Sequence, residues 1–470
     1  MTLPRDLPPA VSPAPLAETQ ARLRDGTATL REEVSQILER LSSRETRIAA
    51  LLPDETPENR QRRLLQQAEE LDQRWQGRDD APPLYGALVG VKDLFHVAGF
   101  PTRAGSQLPP EVFASNPATE GEEAPVVTSL RSNGALVLGK TVSTEFAYFA
   151  PGPTRNPWNP DHTPGGSSSG SAAAVAAGFC HFALGTQTIG SISRPATFCG
   201  VTGYKPSYGR VSTTGVVPFS PDADHIGPIA PNVQTLHTVA SVVVSDWDRQ
   251  RATADLSVQS ISAVPRHPDL RHAVGPVLVP DDAYLEQADI EGRRALEAVI
   301  ERLTGLGIDV QRIAVFGDIA EINVHHQNMI ARDFAEVHHA WIDEHGKLYH
   351  ERSRDLVERG RNVSEEERQE AREGRYELRL RLQETLQRHG GRLWLAPATV
   401  GGAPLGIDTT GDPIMNLPWT YSGVPTISTA IPSLPHGRAP TGLPLGVQWA
   451  TPFGMDEELF AQLSVLEPHL

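Results

Sequence analysis

Two cysteines in 470 residues, Cys180 and Cys199, are too few for a disulfide framework or a cysteine-rich zinc site. They read as two buried thiols. No apolar run reaches the roughly 18 to 20 residues that cross a bilayer. The Pro-rich opening, MTLPRDLPPAVSPAPLAETQ, lacks the continuous apolar segment of a secretory signal. A reduced, cytoplasmic setting without membrane contact is the resulting expectation. Positive charge is short as well: 42 Lys and Arg against 58 Asp and Glu leave a formal charge of −16. A phosphate-backbone partner needs the opposite balance, so a small molecule is the expected ligand rather than nucleic acid. The chain has no H-E-x-x-H stretch. His325, His326, His338 and His339 form two adjacent pairs in a polar stretch, where solvated side chains and no metal are expected.

What is present is ordinary globular material, 39% hydrophobic and 21% charged, enough for a large core without staples. Residues 1–16 read as a flexible terminus. Beyond them Leu30, Val34, Ile37, Leu38 and Leu41 recur at helical spacing, with Thr29 and Glu32 as a capping box, and a polar helix is expected over 57–75. From Pro82 the texture changes to short apolar runs cut by glycine, "YGALVGVKD", "GALVLGK" and "FCHFALGTQ". Strands alternating with helices are expected there, hence an α/β core. Residues 317–390 form a polar, Arg- and Glu-rich helical block, after which the core texture returns from Leu393. One large domain over 17–470 is expected, with that block laid over the core and, with residues 105–155, walling a pocket.

The stretch "TPGGSSSGSAAAVAAG", residues 163–178, sets glycines and serines against a run of small helix formers. As a phosphate loop it fails: Gly165 and Gly170 have the spacing of G-x-x-x-x-G-K-[ST], but Ser171 stands in place of the lysine. "GSSSG" does satisfy G-x-S-x-G, which makes Ser168 a candidate nucleophile of an α/β-hydrolase-type esterase. That elbow requires a strand directly before it, and "TRNPWNPDHTPGG" is a poor one.

Taken with "GALVGVKDLFHVAG" upstream and "GTQTIGSISRPATFCGVTGYKPSYGRVS" downstream, the run resembles the amidase signature family, whose members hydrolyse linear amides and related acyl bonds. The resemblance extends from about Pro83 to Pro228 and returns in "TGDPIMNLPWTYSGVP" and "GLPLGVQ". It implies a single α/β/α sandwich whose mixed central sheet is flanked by helices. It also implies a Ser-Ser-Lys triad of Lys92, Ser167 and Ser191, a cis peptide between Gly166 and Ser167, and an oxyanion hole from the backbone N–H groups of Thr188, Ile189, Gly190 and Ser191. Lys92 accepts a proton from Ser167, Ser167 takes one from Ser191, and Ser191 forms the acyl-enzyme. Independently of family, a serine needs a base, and these motifs offer Lys92. A lysine serves only when neutral, so its ordinary pKa of about 10.4 has to fall by burial, and "ALVGVKDLF" is an apolar setting for that. As an isolated motif, V-K-D would instead read as a surface lysine paired with Asp93.

The common family pattern D-T-G-G-S-I-R is here Gln187, Thr188, Ile189, Gly190, Ser191, Ile192, Ser193. An acid and an arginine are missing together, as expected of a supporting pair, and Arg194 is a candidate replacement orienter. The implied activity is cleavage of an acyl C–N bond other than a peptide bond, in an amide, an aryl amide or a carbamate (urethane), with esters also fitting, and no cofactor or metal. The alternatives are a component of a glutamine-dependent tRNA amidotransferase, the Ser168 esterase, and an inactive relative acting as a binding protein. A monomer or homodimer is expected.

Overall fold

A computed structural model describes residues 15–114, 123–248, 251, 270 and 274–470. Residues 1–14, most of the expected flexible terminus, lie outside these. Leu16, assigned to that terminus, instead opens the helix Leu16–Arg24 and is buried, because its side chain joins the core cluster.

Ten strands make one sheet: β1 (Leu88–Lys92), β2 (Leu136–Thr141), β3 (Phe182–Gln187), β4 (Thr202–Lys205), β5 (His225–Ala230), β6 (Val277–Pro280), β7 (Val310–Ile313), β8 (Leu393–Pro397), β9 (Thr426–Ala430) and β10 (Gly446–Ala450). Their spatial order is β2-β1-β3-β5-β4-β9-β10-β8-β6-β7. Parallel pairs at both edges (β1 with β2 and β3, β6 with β7 and β8) flank an antiparallel middle. The sheet is therefore mixed, as the α/β/α expectation requires. The three glycine-cut apolar runs are β1, β2 and β3, and every residue of these strands is buried, the pattern of strands covered on both faces.

Helix Leu30–Ile48 begins with the expected capping box, Thr29 accepting from the Glu32 N–H and Glu32 accepting from the Thr29 N–H. A polar helix spans Pro57–Trp75. Between these helices and the sheet lies Ser169–Ala176, with all eight residues buried. Small side chains are required there: a Cβ on Gly170 would lie 2.2 Å from the Ala50 carbonyl oxygen and 2.4 Å from the Val142 nitrogen. The stretch 317–390 carries the helices Ile319–Val337, His339–His345, Glu351–Arg361 and Glu365–Arg388, and the chain then returns to the sheet as β8 beside β10 and β6.

Candidate active site

Lys92 ends β1 and Asp93 follows it, and the alternation of side chains sends the two to opposite faces of the sheet. Asp93 pairs with Lys140 of β2 at 3.1 Å, and both are fully buried. Lys92, equally buried, meets only hydroxyls among the described residues: its Nζ lies 2.7 Å from Ser167 Oγ and 2.8 Å from Thr186 Oγ1. Burial pushes this amine well below the ordinary lysine value, with Asp224 opposing the shift. The pairing with Asp93 that an isolated V-K-D suggests is thus taken by another lysine.

The Gly-Ser run delivers Ser167 to this amine. Gly165 has φ of +82°, and a Cβ there would lie 2.8 Å from the Pro195 Cα, so only glycine fits the turn. The Gly166–Ser167 peptide is cis. Ser168, the candidate elbow nucleophile, points elsewhere: its Oγ is fully buried and bonds both the N–H and the carbonyl of Thr186, each at 3.3 Å. No strand runs into this serine, because the prolines of 157–164 hold the preceding segment out of the sheet.

β3 runs into the turn holding Ser191. Gln187, at its end, accepts from the N–H groups of Ile192 (2.8 Å) and Ser193 (2.9 Å) and donates its amide to the Thr420 hydroxyl (3.0 Å). Thr420 in turn donates to the Ile189 carbonyl at 2.6 Å. Thr188 donates through its hydroxyl to the partly buried Asp224 at 2.6 Å. Gly190 is obligatory because a Cβ would lie 2.3 Å from Asn416 Oδ1. With its carbonyls and side chains held in this way, the turn leaves the N–H groups of Thr188, Ile189, Gly190 and Ser191 without a hydrogen-bond acceptor among the described residues. Ser167, Thr188, Ile189, Ser191 and Arg194 line one small cavity.

A buried amine against a serine, with a second serine in a turn of free N–H groups, is the chemistry of acyl transfer. The amidase family model matches residues 58–460, which include every one of these residues. The chain belongs to the amidase family. A crystal structure of an amidase superposes with a TM-score of 0.81 at 30% identity, covering 97% of this chain and 100% of that one. A peptide amidase in complex with the competitive inhibitor chymostatin superposes with a TM-score of 0.74 at 26% identity, covering 97% of each chain. Among curated proteins, a glutamyl-tRNA(Gln) amidotransferase subunit of Salinibacter ruber is 35% identical over 294 residues, 60% of this chain and 53% of that protein. The corresponding protein of a Synechococcus strain is 35% identical over 302 residues, 63% of this chain and 59% of that protein. The chain thus spans little more than half the length of the curated relatives it matches.

Against the family pattern, Gln187 does not need the missing arginine, because a neutral amide accepts from the turn and donates to Thr420 at once. Arg194 does not touch it. Its buried guanidinium reaches back to the Gly166 carbonyl at 2.7 Å and the Thr410 hydroxyl at 3.2 Å. The loop before the site makes a left-handed double step at Phe146 (φ 48°) and Ala147 (φ 62°), followed by Tyr148 and Phe149. These two rings, with Ile189 and Pro413, border both the serine cavity and an outer cavity of about 550 Å³. The outer wall takes Ile330, Leu356 and Arg359 from the helical block, and also Thr409 to Leu417, a stretch the sequence did not mark as wall.

The histidine pairs are not solvated as expected. His326 and His338 are fully buried, while His339 is exposed and His325 partly so. His325 and His326 are adjacent on the helix Ile319–Val337 and point about 100° apart, so that pair divides between core and surface, whereas His338 lies at the junction between that helix and His339–His345. His338 stacks on Phe334 at 3.9 Å and meets the Tyr349 hydroxyl at 2.9 Å. No group of three metal-ligating side chains converges among the described residues, and no described helix is long and apolar enough to cross a membrane. Thr186, Asp224 and Thr420 escaped sequence reasoning: threonine and aspartate in strands and loops carry no spacing signal, and only the sheet brings them to the site.

Proposed function

We propose that this protein is a free-standing amidase in which Ser191 attacks the acyl carbon, Ser167 relays the proton and Lys92 is the base. The observation that supports this most directly is the fully buried Lys92 amine, without a carboxylate partner among the described residues, 2.7 Å from Ser167 Oγ. As Ser191 Oγ bonds the carbonyl carbon, its proton passes to Ser167 and the Ser167 proton to the Lys92 lone pair. The oxyanion is received by the free N–H groups of the turn ending at Ser191, and each donor of this kind is worth about 2.7 to 4 kcal/mol. The protons then return along the same route to the leaving nitrogen. Water enters by the vacated side and releases the acid. The apolar rings of Tyr148 and Phe149 and the side chains of Ile189, Ile330 and Leu356 favour an amide with an apolar or aryl body, and the same site accepts an ester or a carbamate.

Labelling with a serine-reactive phosphonate tests the assignment. The wild type and Ser168→Ala are expected to label and Ser191→Ala is not; loss only in Ser168→Ala overturns it. A panel of amides, anilides, esters and carbamates then ranks leaving groups.

The amidotransferase relatives at 35% identity give a second reading, in which the same triad releases ammonia for a partner. The departures from D-T-G-G-S-I-R at Gln187, Ile189 and Ser193 favour the free-standing enzyme. Hydrolysis by the isolated chain at a rate that added glutaminyl-forming machinery leaves unchanged supports the first reading; activity that appears only with a partner supports the second.

A further inference from the structure

Arg375 and Arg379 stand four residues apart on one face of the helix Glu365–Arg388, and neither borders the serine cavity or the outer cavity. Arg375 is 3% exposed. Its Nη1 donates to the Asp222 carbonyl, while Nε and Nη2 are buried without an acceptor. These two nitrogens make up the edge that other arginines of this chain give to a carboxylate: Arg22 grips Glu33 through Nε and Nη2 at 2.9 Å each, and Arg63 grips Glu55 at 2.9 and 2.8 Å. Arg379, half-buried, makes one hydrogen bond among the described residues, from Nε to the Ser422 carbonyl at 2.8 Å, and lies over the Phe453 ring at 3.8 Å. Among the described residues no carboxylate is within ion-pair distance of either guanidinium, and the acids of neighbouring segments are engaged elsewhere: Asp222 with Arg372 at 2.6 Å, Asp456 with Arg210 at 3.1 Å.

Lys205 adds a third cation. It is fully buried and donates only to the carbonyls of Pro206 and Val424. Burial draws it down to about 7, and although Asp456 opposes the shift, Arg379 and Arg375 press the same way as burial. Charge of one sign gathered out of water is costly unless a counter-charge arrives. The place for one is at Gly423, where a Cβ would lie 2.9 Å from Arg379 Nη2 and 3.6 Å from Arg375 Nη2, so both guanidiniums meet the same bare stretch of backbone. Tyr376 borders both, 5.7 Å from Arg375 and 5.1 Å from Arg379, and its 55% exposure marks the side that opens to solvent.

We propose that Arg375 and Arg379 form a binding site, separate from the catalytic cavity, for the oxyanion of a small molecule, a phosphate group or a carboxylate. The planar fork of a guanidinium matches either group. The anion takes the Nε–Nη2 edge of Arg375 on one side and Nη2 of Arg379 on the other, with Arg379 swinging outward past Tyr376 to admit it. The site lies behind the oxyanion turn: the Ser422, Gly423 and Val424 carbonyls accept from Arg379, the Tyr208 N–H and Lys205, and Thr420 of the same stretch holds the Ile189 carbonyl. It uses no member of the proposed triad.

Calorimetric titration of the full chain near neutral pH, with ionic strength held by sodium chloride, provides the test. Sodium phosphate and sodium acetate are the two probes, and saturation at one ion per chain is expected. Saturation by phosphate alone makes this a phosphate site, by acetate alone a carboxylate site, and by both a general oxyanion site; saturation by neither overturns the proposal. Arg379→Gln is expected to weaken binding about tenfold or more, the weight of a charged hydrogen bond, and Arg379→Lys to recover part of the loss. Arg375→Gln is expected to abolish binding. Because Arg379 reaches the surface, its variants decide the matter even where Arg375→Gln fails to fold, and unchanged affinity in Arg379→Gln overturns the site. The chain labelled with phosphonate at Ser191, its serine cavity filled, is expected to bind the ion as tightly as the free chain. Binding lost on labelling would put the ion in the catalytic cavity and overturn the proposal. The extent of labelling itself reports on Ser191, so a failed anion site and a failed nucleophile are told apart.

Discussion

At the scale of single residues, two neighbours on one strand show how position decides protonation. Asp93 has Lys140 as its counter-ion; Lys92 has hydroxyls and a cost of burial. Lys92→Met should therefore retain the fold while lowering kcat/KM by about 10²- to 10⁴-fold near pH 7, the range of a lost general base. Circular dichroism and turnover of the best panel substrate check this, and unchanged activity rejects lysine as the base. The sign of the pH effect follows from burial, which lowers the Lys92 value. In the proposed mechanism the neutral amine is the active form, so kcat/KM should be lost as pH falls through a value well below 10.5 and be full above it. A profile still climbing at about pH 10, near the ordinary lysine value, contradicts the depression. Gln187 is the other informative residue. Its removal as Gln187→Ala strands the N–H groups of Ile192 and Ser193 and frees Thr420 from one side, at about 1 to 3 kcal/mol per group left unsatisfied. Loss in kcat exceeding that in KM is expected if the turn serves the transition state.

At the scale of elements, the helix Ser169–Ala176 and the run before it behave as one part. The small residues let the helix press against the segment at Ala50 and the end of β2, and this seats the turn whose next hydroxyl is that of Ser167. Gly170→Ala, conservative on paper, places a methyl 2.2 Å from a carbonyl oxygen and should cost about 1 to 3 kcal/mol of stability through overpacking. A thermal unfolding scan measures it; an unchanged Tm would show that the helix can slide. The Gly-Ser texture, β1 to β3 and the capping box were all legible in the sequence, since each rests on local backbone preference or periodicity. The wall at Thr409–Leu417 was not. It lies far along the chain from Ser191 and reaches the cavity because β8 and β9, between which it runs, belong to the same sheet as β3.

At the scale of the whole molecule, burial sets the response to acid. His181 is lowered to about 4, and His326 and His338 to about 3, all by desolvation. Each stays neutral in the folded chain while the unfolded chain takes up a proton near the ordinary histidine value of about 6.5. Their contribution to stability is therefore intact above about pH 6.5 and is lost as pH falls from there toward about 4. The Tm should drop over that window, and His338→Phe should flatten the drop relative to wild type in a calorimetric series. An identical slope in the two proteins would count against the buried, neutral state of this histidine.

What the sequence determined by itself was local: which segments are strands or helices, where glycine is compulsory, and the motifs around Lys92, Ser167 and Ser191 that carry the resemblance to the family. Spacing along a chain and the preferences of adjacent backbone bonds are sufficient for that. Only the tertiary structure decided that Asp93 belongs to Lys140, that Gln187 works through Thr420, that one histidine of each pair is interior, and that Arg194 turns to the Gly166 carbonyl. Those outcomes depend on which distant segments the ten-stranded sheet brings into hydrogen-bonding reach of one another, and on which charges are thereby removed from water, and neither is encoded in any short stretch of residues.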